Sequence, residues 1–163
     1  MYIISPMAKA TMAAEIDFEQ TVSYLLAKVT TAFRNSLERQ MGQIGLHSGQ
    51  IFVLFELWQK DGLRQIDLAH RLNLSAPTVN KMVNGLIEIN LVSRERLEDD
   101  GRSTRIFLTD GGTAMRSQIE SHWIELEESC LVGLTETERL VLFDLLGKLR
   151  NTYTGREPAS DDE

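Results

Sequence analysis

Two short amphipathic segments, Gln65–Leu72 and Ala76–Ile89, stand only three residues apart, and an alternating stretch follows them directly. The gap Asn73-Leu74-Ser75 is too short for two independent layers, so the segments must form a tightly turned helix pair. After them come an extended run (Leu91–Leu97), an acid- and glycine-bearing turn (Glu98-Asp99-Asp100-Gly101) and a second extended run (Ser103–Thr109). Helix, turn, helix and ribbon in that order suit an element that places one helix in the major groove of DNA and a ribbon on the adjacent backbone or minor groove.

The second segment carries its own start signals. Ser75 is a good N-cap, because its hydroxyl accepts a bond from a first-turn N–H that has no helical partner. Pro77 falls in that first turn, where a missing N–H does no harm. Val79, Met82, Val83 and Leu86 then recur at helical spacing and form one apolar stripe. The other face carries Thr78, Asn80, Lys81 and Asn84. Asn pairs bidentately with adenine, and Lys reaches guanine or phosphate. A solvated face on an ordinary helix is the plainer alternative. The first segment turns Ile66, Ala69 and Leu72 inward on this reading, with Ala69 small enough for a close crossing.

In the ribbon, Ile106 and Leu108 alternate with Arg105 and Phe107, the period-2 signature of a strand. Leu91, Val92 and Leu97 supply a partner. Asp100 and Arg102 occupy the turn, with Arg94, Arg96 and Arg105 on the flanking runs. An Arg at a ribbon tip enters a minor groove or grips phosphate, and an Asp two residues before it holds the guanidinium by a bidentate pair. A plain hairpin with solvated charges is the alternative.

In this order and spacing the chain resembles the MarR (multiple antibiotic resistance regulator) family of bacterial transcription factors. The residues that carry the resemblance are Gly45-Leu46 ahead of a helix, Leu68-Ala69 with Leu72, Leu74-Ser75-Ala76-Pro77-Thr78-Val79, Leu86, and Leu91-Val92-x-Arg94. Asp100-x-Arg102, Leu108-Thr109-x-x-Gly112 and Gly133-Leu134-Thr135-x-x-Glu138 complete the set. Together they span about 16 to 153. The resemblance implies a mainly α fold with a small β-wing: a winged helix-turn-helix DNA-binding domain plus N- and C-terminal dimerisation helices. It also implies an obligate homodimer on a pseudo-palindromic operator in double-stranded DNA. The DNA contacts it points to are Arg64, Gln65, Ser75, Ala76, Pro77, Thr78, Asn80, Lys81, Asn84, Arg94, Arg96, Asp100 and Arg102. The chain departs from the family at two places. Arg64 stands where Ser or Thr usually caps the first helix of the pair; Arg accepts no capping bond, and contact with phosphate is the alternative use of its side chain. His47 stands where Thr is usual before the helix near Gly49, leaving Ser48 to take the capping role.

One domain is expected from 15 to 153, with the winged helix-turn-helix at about 48–110 and dimerisation helices at about 16–44 and 112–153. A frayed arm (1–14) precedes it, and a disordered acidic tail (154–163) follows. Phe18, Val22, Leu25, Val29, Phe33, Leu37, Met41 and Ile44 recur at threes and fours, marking a long helix that ends at Gly42–Gly45. Further helices are expected from about Gly112 to Leu131 and from Glu136 to Tyr153, the last opened by a Thr135–Glu138 capping box. Three such helices exceed what a small winged domain needs to cover, so pooling them between two subunits buries the surplus; an intramolecular bundle is the alternative.

The net charge of −7 is unusual for a DNA binder, but its distribution is uneven. Between Arg64 and Arg105, seven basic residues meet six acids for +1, leaving −8 for the remainder. Weak non-specific affinity and a reliance on specific contacts follow. No apolar run approaches the ~20 residues of a membrane span. A single cysteine, Cys130, excludes an intrachain disulfide and suits the cytoplasm. Some relatives sense oxidants through cysteine, yet Cys130 continues a stripe with Ile119, Trp123 and Leu126, which predicts a buried structural thiol. No metal or cofactor is expected, since His47, His70 and His122 are scattered.

Relatives commonly hold a small, often aromatic, effector between the dimerisation helices and the winged domain. Here that junction includes Phe33, Arg34, Phe52, Phe55 and Trp58, where Arg34 could pair with a carboxylate, although aromatics at helical spacing also serve as plain core. An enzyme is not expected, because no phosphate loop, nucleophile constellation or catalytic acid pair is present. A repressor relieved by such an effector is the leading reading. A winged-helix dimer acting mainly through protein contacts is the alternative.

Overall fold

The computed structural model describes residues 16–96 and 104–154. The predicted arm, the ribbon tip with Asp100 and Arg102, and the tail beyond residue 154 lie outside the described residues. Among the described residues, six α-helices and three strands follow in the order α1 (Val22–Gly42), α2 (Ser48–Gln59), β1 (Leu63–Arg64), α3 (Gln65–Leu72), α4 (Ala76–Glu88), β2 (Val92–Arg96), β3 (Thr104–Leu108), α5 (Asp110–Cys130) and α6 (Glu136–Thr154). The fold is mainly helical, with one small antiparallel sheet in the order β1-β3-β2. Contacts divide the chain into two compact units, one through Leu126 and one from Glu127 onward.

Three of the helices end on the same local device. Gly45, Asn73 and Asn90 each adopt a left-handed backbone, with φ of 76°, 52° and 56°. The leucine after each sends its N–H five residues back, Leu46 to Met41, Leu74 to Ala69 and Leu91 to Leu86, at 3.0, 3.0 and 2.9 Å. The left-handed residue itself bonds three residues back in each case. These are Schellman closures, which satisfy carbonyls that the ending helix would otherwise leave open. Asn tolerates this conformation better than other residues with a side chain. The leucine that follows helps to seal each end: Leu46 and Leu91 are buried, and Leu74 is partly exposed.

The core of the first unit is built around α2, which buries Ile51, Val53, Leu54 and Leu57. A helix that is apolar on most sides belongs at the centre. Leu37 and Met41 of α1, Leu68 and Ala69 of α3, Val79, Val83 and Leu86 of α4, Ile106 of β3, and Ile119 and Leu126 of α5 close on it. Each large side chain so buried contributes about 1.5–3 kcal/mol. Of the predicted α4 stripe, Val79, Val83 and Leu86 are buried and Met82 is half-buried against the core. In α3 the inward residues are Leu68, Ala69 and partly Leu72, while Ile66 is 52% exposed; the helix is rolled so that Leu68, one turn before Leu72, replaces Ile66 against α2 and α4.

β1 has only two residues, and it pairs Leu63 with Ile106 and Arg64 with Arg105 across more than forty positions. β2 and β3 pair from Val92–Leu108 to Arg96–Thr104, the ribbon expected from the alternation. Thr109 then ties ribbon to helix. Its hydroxyl donates to the Asn90 carbonyl at 2.7 Å and accepts from the Gly112 N–H at 3.0 Å. α5 starts so close to the chain entering β2 that a Cβ on Gly112 would collide with the Leu91 carbonyl oxygen.

The predicted first stripe is realised only in part. Phe18 sits in a separate 3-10 turn (Phe18–Gln20), and Thr21 caps α1 by accepting the Tyr24 N–H. Only the C-terminal half of α1 reaches the core; Val22, Leu25 and Val29 are exposed. In the second unit, Thr135 and Glu138 form the expected reciprocal capping box, and α6 leaves Leu140, Val141, Phe143, Leu145 and Tyr153 exposed. Cys130 is exposed, against the expectation of a buried thiol. The apolar stripe of α5 leaves the core after Leu126, and Cys130 is the helix's last residue. Among the described residues no helix is long and apolar enough to cross a membrane.

Candidate nucleic-acid interface

α4 is held from behind and open in front. Val79, Val83 and Leu86 are buried, whereas Ser75, Ala76, Pro77, Thr78, Asn80, Lys81 and Asn84 are exposed. Its N-terminus is capped as predicted: the Ser75 hydroxyl accepts the Thr78 N–H at 3.4 Å and shares a 2.7 Å bond with the Thr78 hydroxyl. Lys81 has no hydrogen-bond or ion-pair partner among the described residues. A cavity of about 730 Å³ runs beside this face and is lined by Gln50, Asn80, Lys81, Asn84, Gly85 and Glu88 among others.

Arg94 of β2 reaches the same face. Its Nη2 donates to Oδ1 of Asn84 at 3.0 Å and to Oδ1 of Asn80 at 3.2 Å. Two residues predicted to read bases and a third predicted DNA contact thus form a single hydrogen-bonded group. The sequence offers no signal for this, since the pairs lie fourteen and ten positions apart on different elements.

Arg64 stands at the N-cap of α3 and makes no side-chain cap bond, as expected of a residue without an acceptor. It is held instead by Asp67, through Nε at 2.8 Å and Nη2 at 2.9 Å. These bonds keep the Asp67 carboxyl below its ordinary range. Gln65 is half-buried and Arg96 exposed. Asp100 and Arg102 lie outside the described residues.

The start of α2 departs from expectation. Ser48 is the first helical residue and not the cap. Its N–H donates to Oε2 of Glu38 at 2.8 Å, while Oε1 of Glu38 accepts from Nδ1 of His47 at 2.7 Å. An ionised carboxylate only accepts, so the imidazole is the donor. The His47 and Ser48 bonds hold the Glu38 carboxyl down at about 2. Gln50, buried, accepts the His47 N–H at 2.7 Å. A carboxylate from α1 therefore closes this end, and a serine hydroxyl is not needed.

The predicted effector residues gather only in part. Phe55 and Trp123 lie 5.2 Å apart, Phe55 and Trp58 5.8 Å, Phe52 and Phe55 6.0 Å, and Phe33 and Trp123 6.3 Å. Arg34 is exposed on α1 and has no partner among the described residues. The cation beside the cluster is Arg116, 5.7 Å from the Trp58 ring. Trp123 and Arg116 sit more than fifty positions from Trp58 along the chain and are brought to it by α5.

A family model described as the MarR family matches residues 46–104, from the end of the α1–α2 turn to the first residue of β3. The chain is 31% identical over 116 residues to YdgJ, an uncharacterized HTH-type transcriptional regulator of Bacillus subtilis (strain 168), with 69% of each chain covered. It resembles the structure of Bordetella bronchiseptica BpsR, whose DNA binding is regulated by 6-hydroxynicotinic acid. The TM-score is 0.75 at 20% identity, covering 84% of this chain and 99% of that one. A putative MarR family regulator from Listeria monocytogenes, complexed with 26mer DNA, gives a TM-score of 0.73 at 18% identity, covering 83% and 91%. The capped helix pair, the antiparallel ribbon and these likenesses agree: the chain belongs to the MarR family of helix-turn-helix transcriptional regulators.

Proposed function

We propose that this regulator is a cytoplasmic homodimer that reads a pseudo-palindromic operator with α4 and represses transcription by occupying it. The observation that carries the reading is the exposed polar face of α4, with Thr78, Asn80, Lys81 and Asn84 presented opposite the buried Val79, Val83 and Leu86. Arg64, Gln65, Ser75, Ala76, Pro77, Arg94 and Arg96 border it, and Asp100 and Arg102 at the ribbon tip complete the proposed contacts. The Listeria neighbour's complex with DNA supports the same use of the fold. The apolar residues left exposed on α1 and α6 supply the dimer interface, which would set two copies of α4 about 34 Å apart, one turn of B-DNA.

A small aromatic acid relieves repression in this reading, bound at the cluster of Phe33, Phe52, Phe55, Trp58 and Trp123. Arg116 is better placed than Arg34 to meet its carboxylate. BpsR, controlled by an aromatic acid, supports the class of ligand. Release of DNA extends only as far as the acid's affinity differs between the two spacings of the reading helices.

Selection on a randomised duplex library, followed by gel-shift titration at several salt concentrations, tests the DNA reading. Enrichment of a two-fold symmetric site is expected. Lys81→Ala should weaken binding on all sequences and lower the salt slope by about one. A folded dimer that enriches no sequence would instead favour action through protein contacts.

A further inference from the structure

We propose that Arg94 is a positioning residue for base reading. By holding the Oδ1 atoms of Asn80 and Asn84, it turns their amino groups outward and biases α4 toward bases whose major-groove edge only accepts hydrogen bonds. This inference rests on the DNA-reading role of α4 proposed above.

The argument begins with what a guanidinium can do. It has five N–H donors and no acceptor. An amide beside it must therefore present its oxygen, and its NH2 then faces away. Arg94 does this twice with one nitrogen, at 3.0 and 3.2 Å, each hydrogen of Nη2 taking one oxygen. Asn80 and Asn84 are four residues apart, so they lie on the same face of α4. All three side chains are exposed, so the group faces outward where the partner would lie.

An unconstrained Asn recognises adenine by using both ends of its amide, accepting from N6 and donating to N7. With Oδ1 turned back onto Arg94, one of its two lone pairs is engaged and the amide presents its NH2 to the groove, so the bidentate pairing with adenine is disfavoured. The free Nδ2 hydrogens suit guanine, which presents N7 and O6, and thymine, which presents O4. A single arginine outside the helix thereby alters what two helix residues can read.

Two measurements on the full-length protein test this. The first needs no DNA: the Nδ2 resonances of Asn80 and Asn84 in 1H–15N spectra should move in Arg94→Met, and should stay near wild type in Arg94→Lys, which still donates. The second is library selection with the same variants. Wild type should favour guanine or thymine over adenine by roughly tenfold at the positions under Asn80 and Asn84. Arg94→Met should lose that discrimination or gain adenine, and Arg94→Lys should keep it. If the amide resonances ignore Arg94→Met, the hold is absent and the proposal fails whatever the DNA shows. If base preference is unchanged while affinity falls equally on all sequences and the salt slope drops by about one, Arg94 is a phosphate contact and the proposal is overturned. If the resonances move but neither Asn80→Ala nor Asn84→Ala alters any preference, the hold stands, and the reading role of α4 falls together with the bias.

Discussion

The indole Nε1–H of Trp58 donates to the carbonyl of Gly112 at 3.2 Å. This bond ties the central helix α2 to the first turn of α5, where the chain leaves the sheet. The same glycine lies so close to Leu91 that any side chain would strike a backbone carbonyl.

Gly112→Ala should therefore destabilise the fold, by about 1–3 kcal/mol as an overpacked site. The melting temperature should drop by roughly 3–10 °C at fixed protein concentration. Gly42→Ala, where an added Cβ meets nothing within 4 Å, should be neutral or slightly stabilising. Equal melting temperatures for the two variants would refute the close approach.

The Glu38 link gives a pH signature. Its carboxyl is held down at about 2 in the folded chain, against an ordinary value of 4.5. A depressed folded value means the stabilisation is complete above about pH 4.5 and fades as pH falls toward 2. The side chain is 49% exposed, so solvent screening leaves only a modest contribution. In urea titrations, Glu38→Gln should lower the unfolding midpoint near neutrality, and the gap to wild type should close between pH 4.5 and 2. A gap that is constant across that range would exclude the carboxylate as the cause.

Phe143 is 82% exposed on α6, which suits a residue that a second copy covers. Phe143→Asp should weaken the proposed dimer by at least about 2 kcal/mol, the scale of an interface anchor. Sedimentation velocity should then show a shift toward monomer, and operator binding should weaken with it. Unaltered association would remove this face of α6 from the interface.

For the aromatic cluster, salicylate-like and cinnamate-like acids should quench tryptophan fluorescence and reduce operator affinity. Arg116→Ala should raise the dissociation constant about tenfold, or 1.4 kcal/mol, while Arg34→Ala should leave it unchanged. Titration calorimetry on both variants decides between the two cations, and failure of every acid to bind would exclude the pocket.

Local chemistry made much of this molecule legible in the sequence. Ser75 and Pro77 mark the start of α4, and Thr135 with Glu138 opens α6, because caps act within four residues of themselves. The apolar stripe of α4 and the alternation of β3 likewise report faces that each element sets alone. The remainder needed elements that are distant in sequence. β1 is too short to show a period and exists only because β3 supplies its partner. Leu68 turns inward instead of Ile66 because the roll of a short helix is set by its neighbours. Glu38 replaces a serine cap because α1 ends beside α2. Arg116 stands by Trp58 where Arg34 was expected, and Cys130 is exposed because the core stops at Leu126. Sequence alone named Asn80, Asn84 and Arg94 as candidates for one surface. Only the packing of β2 against α4 decided that they are bonded to one another, because a hydrogen bond over ten or fourteen positions depends on where two elements meet and leaves no periodic trace in the chain.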